Sequence, residues 1–179
     1  MDTNWSGSVE INAPVEKVYS YLADFPRHCD WAQTLEHMEK VKDGDKAGVG
    51  ARYLTIERQA FQANREPHGP LPDGAFKGKT LCEVTELRPN QRIAWHAHPK
   101  PRMRVWADMA FDLSPGSLPM TTKLTQTIHM HEGWLPAHIT PLMFHMKLSE
   151  MEAKSDAQWQ ASLKNIKTIL EEPGGGTVA

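Results

Sequence analysis

The chain has 179 residues and a mass of 20.2 kDa, enough for one domain around a single core and too little for a second full domain. Lys and Arg (20) nearly balance Asp and Glu (22), leaving a net charge of −2 and a pI near 6.5, so no overall positive field draws the chain to nucleic acid or anionic lipid. A mean hydropathy of −0.53, with no uninterrupted apolar run of about 18 residues, argues against an integral membrane protein. Met1 to Ser8 lacks the basic and then apolar regions of a secretory signal, and Cys29 and Cys82 are too few for a disulfide framework. The expectation is a cytoplasmic protein with free thiols. Nine histidines raise the question of metal or proton chemistry, and nine methionines that of a plastic apolar interior.

In chain order, Val9 to Asn12 alternates apolar and polar residues, the period of a short strand with one buried face. Pro14 suits a first helical position, and Val15, Val18, Tyr19 and Leu22 follow at the spacing of an amphipathic helix. Asp24 then offers a cap for a second short helix running from Phe25-Pro26 toward Trp31. Turn residues divide the next stretch into six strands, near 35–42, 49–59, 79–88, 91–98, 102–113 and 121–131. Between the third and fourth strands, Phe61 to Gly78 holds three prolines and three glycines, so it reads either as an entrance flap or as a surface insertion. Ser149 to Glu152 and Ser155 to Gln158 both fit a capping box, giving two possible starts for a last helix. Trp159, Leu163, Ile166 and Leu170 form one stripe of that helix, which ends before Pro173 and must face the sheet. The reading is one domain over 1–172 with a flexible tail over 173–179.

One strand, two short helices, six antiparallel strands and a long C-terminal helix is the order of a helix-grip fold. Val9 to Tyr19, then Leu22 to Phe25 and Trp31, resemble the opening signature of the START-like (Bet v 1-like) or SRPBCC superfamily, polyketide cyclase/dehydrase branch. Gly48 to Tyr53, Glu83 to Leu87 and Trp159 to Leu170 are similar to that branch's third strand, fourth strand and last helix, so the resemblance spans about residues 5–171. It implies an α+β fold in which a seven-stranded curved antiparallel sheet wraps a long C-terminal helix around an apolar cavity. Members bind lipids, sterols, polyketides or plant hormones, and some catalyse cyclisation, aromatisation or dehydration. The chain departs from the pattern in its long Phe61 to Gly78 segment and in Met120-Thr121, where a Gly-Thr often opens the last strand. No catalytic residue matches by motif.

In that fold the expected ligand wall takes Trp95, Val105, Ala107, Met109 and Phe111 from the middle strands, and Ile128 and Met130 from the last strand. Trp159, Leu163 and Ile166 come from the helix. The same side chains could instead fill a closed core. Gln126 is the polar exception among inward residues, and a buried amide needs hydrogen-bond partners that a ligand, a backbone group or water can supply. Tyr53 lies on a strand with two competing faces: Ala51, Tyr53, Thr55 and Glu57 against Arg52, Leu54, Ile56 and Arg58. If Tyr53 points inward, its phenol can donate to a ligand carbonyl; if Arg52 and Arg58 lie at the ends of the inward face, they can bind an acid group at the mouth, and surface arginines are the favoured reading.

His96 with His98, and His129 with His131, form two His-x-His pairs whose spacing aims both rings of a pair to one side of a strand. With the apolar set inward, all four face solvent, and no carboxylate or thiol stands at a spacing that completes either pair, so no metal is assigned. His138 and His145 read as exposed polar residues or as lining a mouth. Glu83 and Glu86, three apart, are expected on opposite faces of their strand, and Cys29 reads as inert. The function expected is binding of a hydrophobic small molecule, polyketide-like or lipid-like, with cofactor-free cyclisation or dehydration as the reaction if it is an enzyme. The rival is a non-catalytic carrier, and a metal-dependent enzyme using the histidine pairs is a distant third.

Overall fold

The computed structural model describes residues 2–59, 64–71, 76–100, 105–132 and 148–172. Seven strands form one open antiparallel sheet in the order β1-β7-β6-β5-β4-β3-β2. They are β1 (Asp2–Ile11), β2 (Leu35–Lys42), β3 (Arg52–Gln59), β4 (Phe76–Arg88), β5 (Arg92–Lys100), β6 (Val105–Pro115) and β7 (Thr122–Glu132). Helix α1 (Val15–Ala23) follows β1, a 3-10 turn (Phe25–Arg27) leads into α2 (His28–Trp31), and α3 (Leu148–Glu171) closes the chain. This is the helix-grip arrangement that the sequence predicts.

Several boundaries differ for physical reasons. The first strand begins at Asp2 rather than Val9, because it pairs with β7 along its whole length, Trp5 opposite Ile128 and Val9 opposite Leu124. Its inward alternation is interrupted by Gly7, where an added Cβ would lie 2.6 Å from the ring of Trp5. Pro14 is the N-cap of α1, not its first helical residue, and Asp24 precedes the 3-10 turn without a side-chain cap bond. The last helix starts by Leu148, which leaves the capping box at Ser155 inside it. Strand β4 begins at Phe76 and pairs it with Gln59, shortening the expected insertion.

Within that insertion, residues 64–71 are fastened to the helices. Gln33 accepts from the Arg65 backbone N–H at 2.9 Å and donates to the Arg65 carbonyl at 2.9 Å, to which Asn165 of α3 also donates at 2.8 Å. The Arg65 guanidinium donates to the carbonyls of Ala32, Leu35 and Gly69. Residues 60–63, 72–75 and the 173–179 tail lie outside the described residues.

Helix α3 runs parallel to β1. Asp156 in its first half accepts from the Trp5 indole N–H, while Lys167 and Glu171 near its end bond the backbone of Glu10 and Asn12. Leu163, Ile166 and Leu170 are buried against the sheet side, and Trp159 at the head of the stripe is half-buried. One buried cluster joins them to α1, α2 and the inward residues of the strands.

Candidate functional site

Inward side chains form rows across the sheet because antiparallel partners directly opposite one another share a face. Ile93, Phe111 and Gln126 make one row, and Val84, Trp95, Met109, Ile128 and Trp5 the next. A third row, farther from α1, holds Tyr53, Cys82, Ala97, Ala107 and Met130, and beyond it Thr55 faces Thr80. Tyr53 is therefore inward and buried. Arg52 and Arg58 are on the outer face, ion-paired with Glu83 at 2.8 Å and Glu36 at 2.7 Å.

The middle of the first two rows is covered by aromatic rings from the helical corner. Phe25 stacks on Tyr53 with centroids 4.9 Å apart and meets Trp95 edge-on at 5.7 Å. His28 lies 5.5 Å from Trp95, and Trp31 lies 5.8 Å from Phe111. Trp95, Phe111 and Tyr53 thus support a packed aromatic layer. The more exposed side chains of the wall lie toward the ends of the strands away from α1. There Met109, Met130, Trp5 and Trp159 are half-buried, the two tryptophan rings sit 5.2 Å apart, and Ala97 and Ala107 stand opposite each other. Ile128, Leu163 and Ile166 complete the apolar backing and are fully buried. The side chain of Val105 lies outside the described residues, as do His138 and His145.

Polar groups on this face are few. Gln126 is 2% exposed, and its Oε1 finds no hydrogen-bond partner; Trp31 Nε1 is the other such atom among the described residues. A buried acceptor without a donor costs about 1–3 kcal/mol, which a ligand hydroxyl can return. Burial pushes the Tyr53 phenol above its ordinary pKa, keeping it a neutral donor. Sequence reasoning did not single out Glu57, which continues the inward set of Tyr53 and Thr55. Its carboxyl accepts from the Thr55 hydroxyl at 3.2 Å, and desolvation raises its pKa, while hydrogen bonds from Thr80 and Thr55 act the other way. Cys82 in the adjacent row has its thiol pushed up to about 12, by burial first and by Glu57 second. Trp5 was also missed, hidden by the glycine that follows it in the alternation.

On the outer face, His96 Nδ1 lies 2.5 Å from Asp108 Oδ1, and His131 Nε2 lies 3.4 Å from Asp108 Oδ2. Asp108 on β6 thus stands between the two histidine strands, a neighbour that spacing along one strand does not reveal. Even so, no three His, Cys, Asp or Glu side chains converge as a metal site among the described residues. A correction concerns Glu83 and Glu86. The ladder shifts between Val84 and Glu86, so Glu83 opposes His96 and Glu86 opposes Ala94, and both end up on the outer face. They pair with different arginines, Glu83 with Arg52 and Glu86 with Arg88 and Arg92. Cys29 is half-buried and burial raises its thiol pKa, the setting of an unreactive cysteine.

Among the described residues, no helix is long and apolar enough to cross a membrane. The family model described as "Polyketide cyclase / dehydrase and lipid transport" matches residues 3–171. No curated protein matches. Among solved structures, the chain is similar to a START superfamily protein from Mycobacterium smegmatis, at 12% identity over 94% of this chain and 97% of that one, with a TM-score of 0.64. It is also similar to the Zhui aromatase/cyclase from Streptomyces sp. R1128, at 15% identity over 98% and 99% of the two chains, with a TM-score of 0.62. A structural-genomics target from Deinococcus radiodurans shares 18% identity over 93% and 95%, with a TM-score of 0.57. At these identities the likeness is one of fold.

Proposed function

This chain belongs to the polyketide cyclase/dehydrase and lipid transport family, and from that premise we propose that it binds a hydrophobic small molecule, polyketide-like or lipid-like, between the inner face of the sheet and α3. The observation that supports this most is the unpartnered Oε1 of Gln126 set in an apolar wall. It is an acceptor waiting for the hydroxyl or enol of a ligand whose body packs against Met109, Ile128 and Met130. The reaction we propose is aldol-type cyclisation or dehydration. Placement of the folded chain and polarisation of a carbonyl by a neutral donor such as Tyr53 supply the rate, without a cofactor. The two free thiols suit a reducing cytoplasm, where we place the protein.

Native mass spectrometry of the freshly purified protein, followed by denaturation and identification of any released compound, tests the reading. A mass excess matching an apolar metabolite supports it and supplies the compound for turnover assays. Gln126→Leu and Tyr53→Phe then separate enzyme from carrier. An enzyme loses rate in these variants, a carrier loses affinity alone, and a protein that changes in neither respect has no ligand at this wall.

A further inference from the structure

The inner face carries a carboxyl group that neither the wall nor the fold requires. Glu57 sits at the end of β3 away from α1, in line with Ala51, Tyr53 and Thr55, on the side of the sheet that faces the helices. Its ordinary place would be the outer face, where Glu36 and Glu83 each find an arginine within 2.8 Å. Among the described residues Glu57 has no such partner: its contacts are the hydroxyls of Thr55 and Thr80. The Thr55 hydroxyl is itself shared, reaching Glu57 Oε1 and the Thr80 carbonyl at 3.2 Å each, so it gives Glu57 at most half a bond.

Among the described residues, the inward side chains beside Glu57 carry no positive charge; Arg58, Lys77 and Lys79 flank it in register on the outer face. On the inward face of β4 the titratable group is the Cys82 thiol, whose pKa burial and then Glu57 push up to about 12. Across from Glu57 on β2 is Leu35, and farther along β3 is the phenol of Tyr53. Arg65 donates instead to the carbonyls of Ala32, Leu35 and Gly69. A carboxylate here is desolvated and unpaired, which raises the pKa of the group and favours its protonated form. A protonated carboxyl has one O–H to donate, and Thr55 and Thr80 already approach its oxygens as donors.

We propose that Glu57 selects the ligand of this site, donating its carboxyl O–H to a carbonyl oxygen of an aromatic or polyenic ketone that lies over β3 and β4. The inference rests on the reading that the inner face takes a hydrophobic ligand, and it adds a chemical requirement: a hydrogen-bond-accepting oxygen at one end of an otherwise apolar body. Purely hydrocarbon ligands of the same shape leave the carboxyl unanswered.

Fluorene and 9-fluorenone have the same outline and differ by the carbonyl. Binding of each to the full chain, by calorimetry near neutral pH, tests the pair directly, with the infrared carbonyl stretch of bound fluorenone as a second readout. The expected result is a preference for fluorenone of about tenfold, the worth of one added hydrogen bond, together with a carbonyl stretch moved to lower wavenumber than in hydrocarbon solvent. Glu57→Ala should abolish both while binding fluorene as before. Glu57→Gln, which keeps the shape and an N–H donor, should retain the preference and remove its decline at alkaline pH. Fluorene bound as well as fluorenone, or a preference that survives Glu57→Ala, overturns the role of Glu57 and leaves the hydrophobic site standing. If neither compound binds, the hydrophobic site itself is refuted and this role falls with it.

Discussion

His28 Nε2 lies 2.9 Å from the carbonyl oxygen of Leu22. A carbonyl only accepts, so Nε2 carries the hydrogen, and the ring, fully enclosed by Phe25, Trp31, Trp95 and Phe111, is held as one neutral tautomer. The last turn of α1 is thereby tied to the aromatic layer that covers the middle of the sheet.

Burial pushes the His28 pKa down to about 4, against the opposing effect of the Leu22 carbonyl. The unfolded chain binds a proton near pH 6.5 that the folded chain refuses, so stability is present above that value and is lost as the pH falls toward 4. The loss is of the order of 3 kcal/mol. Urea unfolding midpoints measured from pH 7 to pH 4 should fall in the native protein. They should fall less in His28→Gln, where an amide N–H replaces the imidazole donor without titrating. Equal slopes would show that His28 is not the group responsible.

Glu57 has the opposite sign. Its raised pKa means that the folded state holds a proton that the unfolded state has already released, so stability declines as the pH rises from the ordinary carboxylate range through the folded value. Glu57→Gln removes that decline. The variant should have the higher unfolding midpoint at pH 7 and lose its advantage near pH 4; a midpoint at or below that of the native protein at pH 7 would mean the carboxyl is solvated and ionised.

Asn165 joins α3 to the segment 64–71, donating to the carbonyls of Trp31 at 3.2 Å and Arg65 at 2.8 Å. Asn165→Ala removes both donors and should cost about 1–3 kcal/mol. Hydrogen exchange gives a local readout. The Arg65 amide, bonded to Gln33 Oε1, should lose protection by more than the global change in stability, because the segment then depends on Gln33, the Arg65 side chain and the contacts of His68 with Asp30. Uniform loss across the chain would show that this segment opens only with the whole fold.

The periodic parts of the fold were legible because their determinants are local. Val15, Val18 and Leu22 place themselves on one face of a helix, and Leu124, Gln126 and Ile128 on one face of a strand, with no knowledge of partners. What escaped depends on pairing between distant segments. The faces of β3 are decided by Arg52 meeting Glu83 and Arg58 meeting Glu36, neither of which is near it in sequence. The bulge before Glu86 exists only against β5, and it turns two carboxylates that simple alternation separates onto one face. The candidate wall was legible as a set of inward residues. That Phe25, His28 and Trp31 would cover Trp95 and Phe111 was not, because the angle at which the helical corner meets the sheet is set by the packing itself.

Gly7 offers a test of how the open end of the wall is built. The Trp5 ring folds back over Gly7, which leaves its own face of β1 without a side chain, and the indole N–H then reaches Asp156 while the ring packs against Trp159. A methyl group at position 7 would stand 2.6 Å from Trp5 Cη2 and Cζ2 and 3.2 Å from Gln160 Nε2, so the ring must swing away. Gly7→Ala should therefore destabilise the protein by about 1–3 kcal/mol, in the range of overpacked sites. It should also shift tryptophan emission to longer wavelength as Trp5 and Trp159 separate. Trp5→Phe, which loses the bond to Asp156 and leaves room for the methyl, should make a second Gly7→Ala change nearly neutral. If the two effects simply add, the ring does not rest on Gly7, and the approach of α3 to β1 is set elsewhere.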